Sequence, residues 1–190
     1  MSEHFRLFIA VPVSTEVKLG LKTICEPLKE RLLSFQKWVH PEDMHITVQF
    51  LGNTPEDKLP AIRSHLESIA AGTAPLHLIT GDLGVFGKPS SPSILWAGVK
   101  GDTDRLETLH RQVEQAMQQH GYEPEDRAYS PHITLARRYQ GNAPFNRQEG
   151  LSQAYSPLVW TADRLALYRS HLNRTPMYEM LYAFALNHQT

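Results

Sequence analysis

Apolar residues recur along this chain in two rhythms, and each change of rhythm marks a new element. Arg6 to Val13 (RLFIAVPV) is a β-branched, apolar run that reads as a strand, with Pro12 marking its edge or end. Ser14 or Thr15 can cap a helix to about Leu33, because Val17, Leu21, Ile24, Leu28 and Leu32 recur every three or four positions. Trp38-Val39 is a short extended segment, Pro41-Glu42-Asp43 a turn, and His45 to Leu51 a strand closed by Gly52-Asn53. Thr54-Pro55-Glu56-Asp57 has the form of a helix start, Thr54 capping and Pro55 at the first position, and that helix runs to about Ala71.

Leu76 to Thr80, Leu83 to Phe86 and Ile94 to Val99 read as strands, with the loop Lys88-Pro89-Ser90-Ser91-Pro92-Ser93 before the last of them. A helix capped by Asp102 or Thr103 presents Leu106, Leu109, Val113 and Met117 on one face and stops at Gly121. His132 to Ala136 is a strand, Gly141 to Gln148 a loop leading to about one helical turn, and Leu158 to Tyr168 and Tyr178 to Leu186 are strands.

Both halves therefore read as strand, helix, histidine-bearing strand, helix, strands. The expected fold is α+β: largely antiparallel sheets flanked by helices, in two pseudo-symmetric lobes with a cleft between them. Residues 1–190 are expected to form one domain of two intimately packed lobes, the halves meeting near residue 90.

The halves share a chemical signature. His45-Ile46-Thr47-Val48 recurs as His132-Ile133-Thr134-Leu135, 87 residues later. Side chains at i and i+2 of a strand share a face, so each copy sets an imidazole beside a hydroxyl. With 10 histidines in 190 residues a lone His-x-Thr triplet is unremarkable. His188-Gln189-Thr190 is such a triplet, in a polar tail with no apolar residue following it. What distinguishes the other two is a central Ile, an apolar residue after Thr and a strand-like setting. Two facing pairs supply two proton-transfer groups and two hydrogen-bond donors, a set suited to cleaving a phosphodiester without a metal. Activity is then expected to peak near the ordinary histidine pKa, about 6.5.

A zinc site usually needs three or four ligands at characteristic spacing. Neither triplet supplies a second ligand, and the chain has no His-Glu-x-x-His pattern or cysteine cluster, so neither a metal nor another cofactor is expected. Arg137, five residues after His132, can hold a phosphate bidentately, but alternation points it away from His132 unless the strand ends or bulges after Leu135. Phe50 holds the matching position after His45 and could stack on a base. Arg138 and Lys88 read as surface charges, and Tyr129-Ser130-Pro131 as turn residues. His40, His65, His110, His120 and His171 show no partnered pattern.

The formal net charge of −1 argues against bulk electrostatic capture of long nucleic acid while leaving room for a local basic pocket. A single cysteine, Cys25, rules out an intrachain disulfide and falls among the apolar residues of the first helix, where packing is its expected role. No leader pattern and no apolar stretch approaching about 18 residues is seen, so the expectation is a soluble cytoplasmic protein with no membrane partner.

Arg6-Leu7-Phe8-Ile9-Ala10, His45-Ile-Thr-Val-Gln-Phe-Leu-Gly52, Pro131-His-Ile-Thr-Leu-Ala-Arg137 and the weaker Ser170-x-Leu172 to Tyr178-Glu179 stand in an order that resembles the two-histidine (2H) phosphoesterases. Within them the chain looks like the RNA 2′,3′-cyclic phosphodiesterases, historically called 2′-5′ RNA ligases. The resemblance implies two α+β lobes with facing His-x-Thr strands, and metal-independent opening of a 2′,3′-cyclic phosphate at an RNA 3′ end to a 2′-phosphate. It implies His45 as general acid, His132 as the base that activates water, and Thr47, Thr134 and Arg137 as phosphoryl ligands. The same pair run in reverse could seal 2′-5′ linkages. One departure is Asn173-Arg174-Thr175-Pro176-Met177, where similar proteins often carry a glycine before the tyrosine. The implied partners are RNA 3′ ends or small cyclic nucleotides, acted on by a monomer with no obligate protein partner. The alternatives are a 2H phosphodiesterase for another target, such as ADP-ribose 1″,2″-cyclic phosphate or a 2′-5′ oligonucleotide, and a nonenzymatic nucleotide-binding module.

Overall fold

Alternation along β1 (His4–Pro12) sorts the molecule into two faces. Leu7, Ile9 and Val11 point into one cluster with the buried sides of three helices, while Phe8 and Ala10 point the other way. In this computed structural model residues 3–30, 33–152 and 155–187 are described, so Leu32 and the triplet His188-Gln189-Thr190 lie outside the described residues. The helices are α1 (Thr15–Glu30), α2 (Leu59–Ala71), α3 (Thr103–Gln118) and the short α4 (Arg147–Leu151). Each of the first three buries one stripe, for example Val17, Leu21, Ile24 and Leu28 of α1, and α3 gives way at Gly121 with φ +84°. Cys25 is buried in that stripe, and burial pushes its thiol pKa up to about 12, so it serves packing. Among the described residues no helix is long and apolar enough to cross a membrane.

The remaining strands are β2 (Phe35–Trp38), β3 (His45–Pro55), β4 (Leu76–Lys88), β5 (Ser91–Gly101), β6 (His132–Tyr139), β7 (Val159–Ala162), β8 (Arg164–Ser170) and β9 (Tyr178–Ala185). They form one sheet in the order β7-β4-β5-β6-β3-β1-β8-β9, with β2 also on β6, and the pairings among the described residues are antiparallel. The α+β expectation is met. Only Asp163 separates β7 from β8, although they stand far apart in the strand order. One residue spans about 3.5 Å at most, so the sheet must curl until its ends approach.

Four expectations change. Thr54 does not cap a helix. Its segment stays in β3, paired with Phe5, and its buried hydroxyl donates to the Gly52 carbonyl and accepts from Tyr122. Pairing to β1 outweighs local capping preference, and α2 begins only after a 3-10 turn at Glu56–Lys58. The run Leu158 to Tyr168 is two strands that pair with β4 and β1 respectively. The segments around residue 80 form one strand, β4, interrupted by a register shift between Thr80 and Leu83. The loop near residue 90 is a hairpin turn joining β4 to β5 within one side of the sheet, while β8 and β9 join β1 on the other, so strand order does not follow the sequence halves.

Candidate active site

The two His-x-Thr strands meet at a single registered pair, Ile46 with Ile133. Both isoleucines are fully buried, which commits the flanking residues to the opposite face. An antiparallel register centred on this pair runs His45 toward Thr134 and Thr47 toward His132. The result is a two-by-two array of imidazoles and hydroxyls with an approximate two-fold axis through the seam.

Both strands then bulge at the same place. Across β1 and β3, Ala10 faces Thr47 and Ile9 faces Gln49, leaving Val48 extra. Across β5 and β6, Trp96 faces Thr134 and Leu95 faces Ala136, leaving Leu135 extra. Each extra residue lies three positions after its histidine and shifts the alternation by one. Leu135 and Ala136 are consequently both buried, and Arg137 returns to the histidine face. The condition set by strict alternation is thus met by a bulge. Phe50 returns in the same way, but it lies farther out, 57% exposed, with its ring 5.9 Å from Phe8. A shallow pocket brings His45, Thr134 and Arg137 together with Lys37, Asp43, Met177 and Tyr178. Thr47 and His132 adjoin it across the seam, and Phe50 does not line it.

Each imidazole is held by the backbone two residues before it. His45 Nδ1–H donates to the Asp43 carbonyl and His132 Nδ1–H to the Ser130 carbonyl, both at 2.7 Å. A carbonyl can only accept, so the neutral rings carry hydrogen on Nδ1 and a lone pair on Nε2. His45 Nε2 lies 3.0 Å from the Thr47 hydroxyl, which can donate to it. Phe8 and Tyr178 pack on the His45 ring at 4.8 and 5.2 Å between centroids, and Phe86 meets His132 edge-on at 4.9 Å. Burial in this setting lowers the His45 pKa to about 4, with the Arg137 and His132 charges acting in the same direction and the contact with Asp43 opposing. The His132 pKa is also lowered, first by burial and then by Arg137. The unprotonated site therefore offers two neutral rings whose Nε2 atoms accept protons and, once protonated, return them readily.

Several supporting residues look ordinary in the sequence. Asp43, placed in a turn, is buried, and its carboxylate accepts the Met177 and Tyr178 N–H groups at 2.9 Å each. It ties the β8–β9 connection to the residue that orients His45. His110, unpartnered in the sequence, is buried and hydrogen-bonds the Val48 carbonyl at 2.9 Å, while Tyr129 donates to the Thr47 carbonyl at 3.0 Å and stacks on His110. Together they brace the β3 bulge from behind. His171 pairs with Glu179, His120 with His65, and His40 accepts from the Glu42 N–H. For Asp43 the usable sequence signal is its place two residues before His45, mirrored by Ser130 before His132. Lys37 and Met177 carry no such signal, and Tyr178 stands only in the resemblance.

Comparison with known proteins fits this architecture. An RNA 2′,3′-cyclic phosphodiesterase of Geobacillus stearothermophilus is 37% identical over 94% of this chain, and the chain spans 56% of that relative's length. One of Bacillus subtilis is 33% identical over 95% of this chain and 96% of its own length. The crystal structure of TT0787 of Thermus thermophilus superposes with a TM-score of 0.74 at 27% identity, covering 95% of this chain and 97% of that one. The family profile matches residues 22–174, a stretch that holds both His-x-Thr strands, both bulges and Arg137, and by that match the chain belongs to the 2′-5′ RNA ligase superfamily.

Proposed function

We propose that this chain hydrolyses 2′,3′-cyclic phosphate ends of RNA by acid–base catalysis between His45 and His132. The observation that carries the reading is the matched pair of imidazoles, each held at Nδ1 by the carbonyl two residues upstream on strands meeting at Ile46 and Ile133. The names of the relatives set the substrate class. In the forward reaction His132 Nε2 takes a proton from water as the oxygen attacks phosphorus. The bond from phosphorus to the 3′ oxygen breaks, and protonated His45 gives its Nε2 proton to that oxygen, leaving a 2′-phosphate. Thr47, Thr134 and Arg137 hold the non-bridging oxygens as charge builds on them. A 5′-hydroxyl in place of water would give a 2′-5′ linkage by the same proton transfers.

The test is purified protein with an RNA ending in a 2′,3′-cyclic phosphate, with ADP-ribose cyclic phosphate as a comparison, in excess EDTA. Full turnover to a 2′-phosphate is expected. Among the described residues no three His, Cys, Asp or Glu side chains converge to hold a metal. Activity lost in EDTA and restored by a divalent ion would point to metal chemistry instead.

The lowered histidine pKa values also move the expected pH profile. The ratio kcat/KM reports the free enzyme, where the protonated fraction of His45 declines above about 4 and His132 is neutral above its own lowered pKa. The kcat/KM optimum is therefore expected on the acid side of about 6.5, not at it. Bound anionic substrate favours imidazolium, so the kcat optimum lies at higher pH than the kcat/KM optimum. NMR titration of the His45 ring in the free protein checks the cause directly, and a midpoint at or above about 6.5 would refute it.

A further inference from the structure

Lys37 carries no signal in the sequence, yet it lies on the wall of the pocket that holds His45 and Arg137. In the β2–β6 register its Cα faces that of Arg137, so two cations stand side by side on neighbouring strands. Such a like-charged cross-strand pair is unfavourable unless an anion joins it. The carboxylate lining the same pocket, Asp43, has its oxygens on the Met177 and Tyr178 N–H groups. The Lys37 ammonium instead donates to the Met177 thioether at 3.2 Å, a weak acceptor, and among the described residues it has no ion pair.

The two cations do not occupy equivalent positions. The Arg137 charge lowers the pKa of both His45 and His132 and opposes the rise that burial gives Tyr178. Arg137 stands on the histidine face of β6 and so belongs to the reacting phosphate, while the Lys37 backbone lies one strand farther out, about 5 Å from that of β6, and its ammonium sits on Met177 in the β8–β9 connection. A compact ammonium on a flexible stem, held among the described residues only by a thioether on the far wall of the pocket, suits a separate anion rather than a second grip on the same one.

We propose that Lys37 forms a subsite for a second phosphate, the one on the 5′ oxygen of the nucleotide whose cyclic phosphate reacts. This rests on the proposed function for the identity of the first phosphate. An RNA end carries the second phosphate as its last internucleotide diester, and a 5′-phosphorylated nucleotide carries it as a monoester. A nucleoside 2′,3′-cyclic phosphate lacks it. The chain would thereby favour RNA ends over free cyclic nucleosides without reading any base.

The test compares wild type, Lys37→Met, which keeps the aliphatic stem, and Lys37→Arg, which keeps the charge. Calorimetric binding of adenosine 2′-monophosphate and adenosine 2′,5′-bisphosphate needs no turnover. Wild type is expected to bind the bisphosphate about tenfold more tightly, on the scale of one charge-assisted hydrogen bond. Lys37→Met should remove most of that advantage, flatten the salt dependence of bisphosphate binding by about one charge, and be rescued by Lys37→Arg. The kcat/KM for adenosine 2′,3′-cyclic phosphate against a dinucleotide with the same end identifies the source. A dinucleotide preference lost in Lys37→Met means the diester occupies the subsite, and a bisphosphate effect alone means a terminal monoester does. Equal loss on ligands with one and two phosphates, or no advantage of the bisphosphate in wild type, overturns the proposal. Failure to hydrolyse any cyclic substrate with the bisphosphate advantage intact would instead overturn the proposed reaction and leave the subsite standing.

Discussion

Replacing His45 or His132 with alanine is expected to lower turnover of a cyclic-phosphate RNA end by about 10²–10⁴-fold, the usual scale for one general acid or base. The double variant should fall far short of the product of the two, since in the proposed reaction a proton taken by one ring and a proton given by the other serve a single displacement. Alanine at 45 also vacates space against Phe8 and Tyr178, so lost activity could reflect lost packing. His45→Asn separates the effects. Its amide can still donate to the Asp43 carbonyl, as Nδ1 does, but it presents nothing at the position of Nε2. A folded His45→Asn enzyme is therefore expected to be as inactive as the alanine variant. Near-normal turnover in any of these single variants, measured by single-turnover kinetics on folded protein, removes that histidine from the mechanism.

Arg137→Ala should reduce kcat/KM by about 10–10²-fold, the worth of a charge-assisted hydrogen bond to a phosphoryl oxygen. Arg137→Lys should keep part of the activity, because the charge remains while the two-pronged geometry is lost. The alanine variant carries a second signature. Arg137 holds down the pKa of both histidines, so its removal raises both, and the kcat/KM profile moves toward neutral pH. A purely structural arginine would not shift that profile. Arg137→Ala with full activity and an unmoved profile would place phosphate binding on the threonines and backbone.

The bulge explains why Arg137 is only half legible in the sequence. His45 with Thr47 and His132 with Thr134 can be read because period-two alternation is a property of the strand itself. Leu135 becomes an extra residue only through its pairing with β5, and Val48 only through β1. Both depend on partners remote in the chain. The same distinction separates α1 and α3, whose apolar stripes follow from local spacing, from Thr54, where a sound capping pattern gives way to pairing with Phe5. Asp43 looks like a turn residue because the N–H groups its carboxylate serves lie at Met177 and Tyr178, far along the sequence. The elements are legible where neighbours in sequence decide them, and the pocket is not where distant strands do.

Phe8 illustrates what that dependence means for the chain as it is made. Its ring lies against His45, stacks on Tyr168 and meets Tyr178 edge-on. β1 leaves the ribosome well before β8, which pairs with it, and β9, whose Tyr178 meets Phe8. Until they arrive, β1 keeps a bare edge and the His45 ring lacks part of its wall, because pairings this distant in sequence form late. The environment that sets the acidity of His45 is thus completed only once β8 and β9 have emerged. A growing chain that already carries both His-x-Thr strands therefore still lacks Tyr168 and Tyr178 beside the His45 ring until β8 and β9 dock.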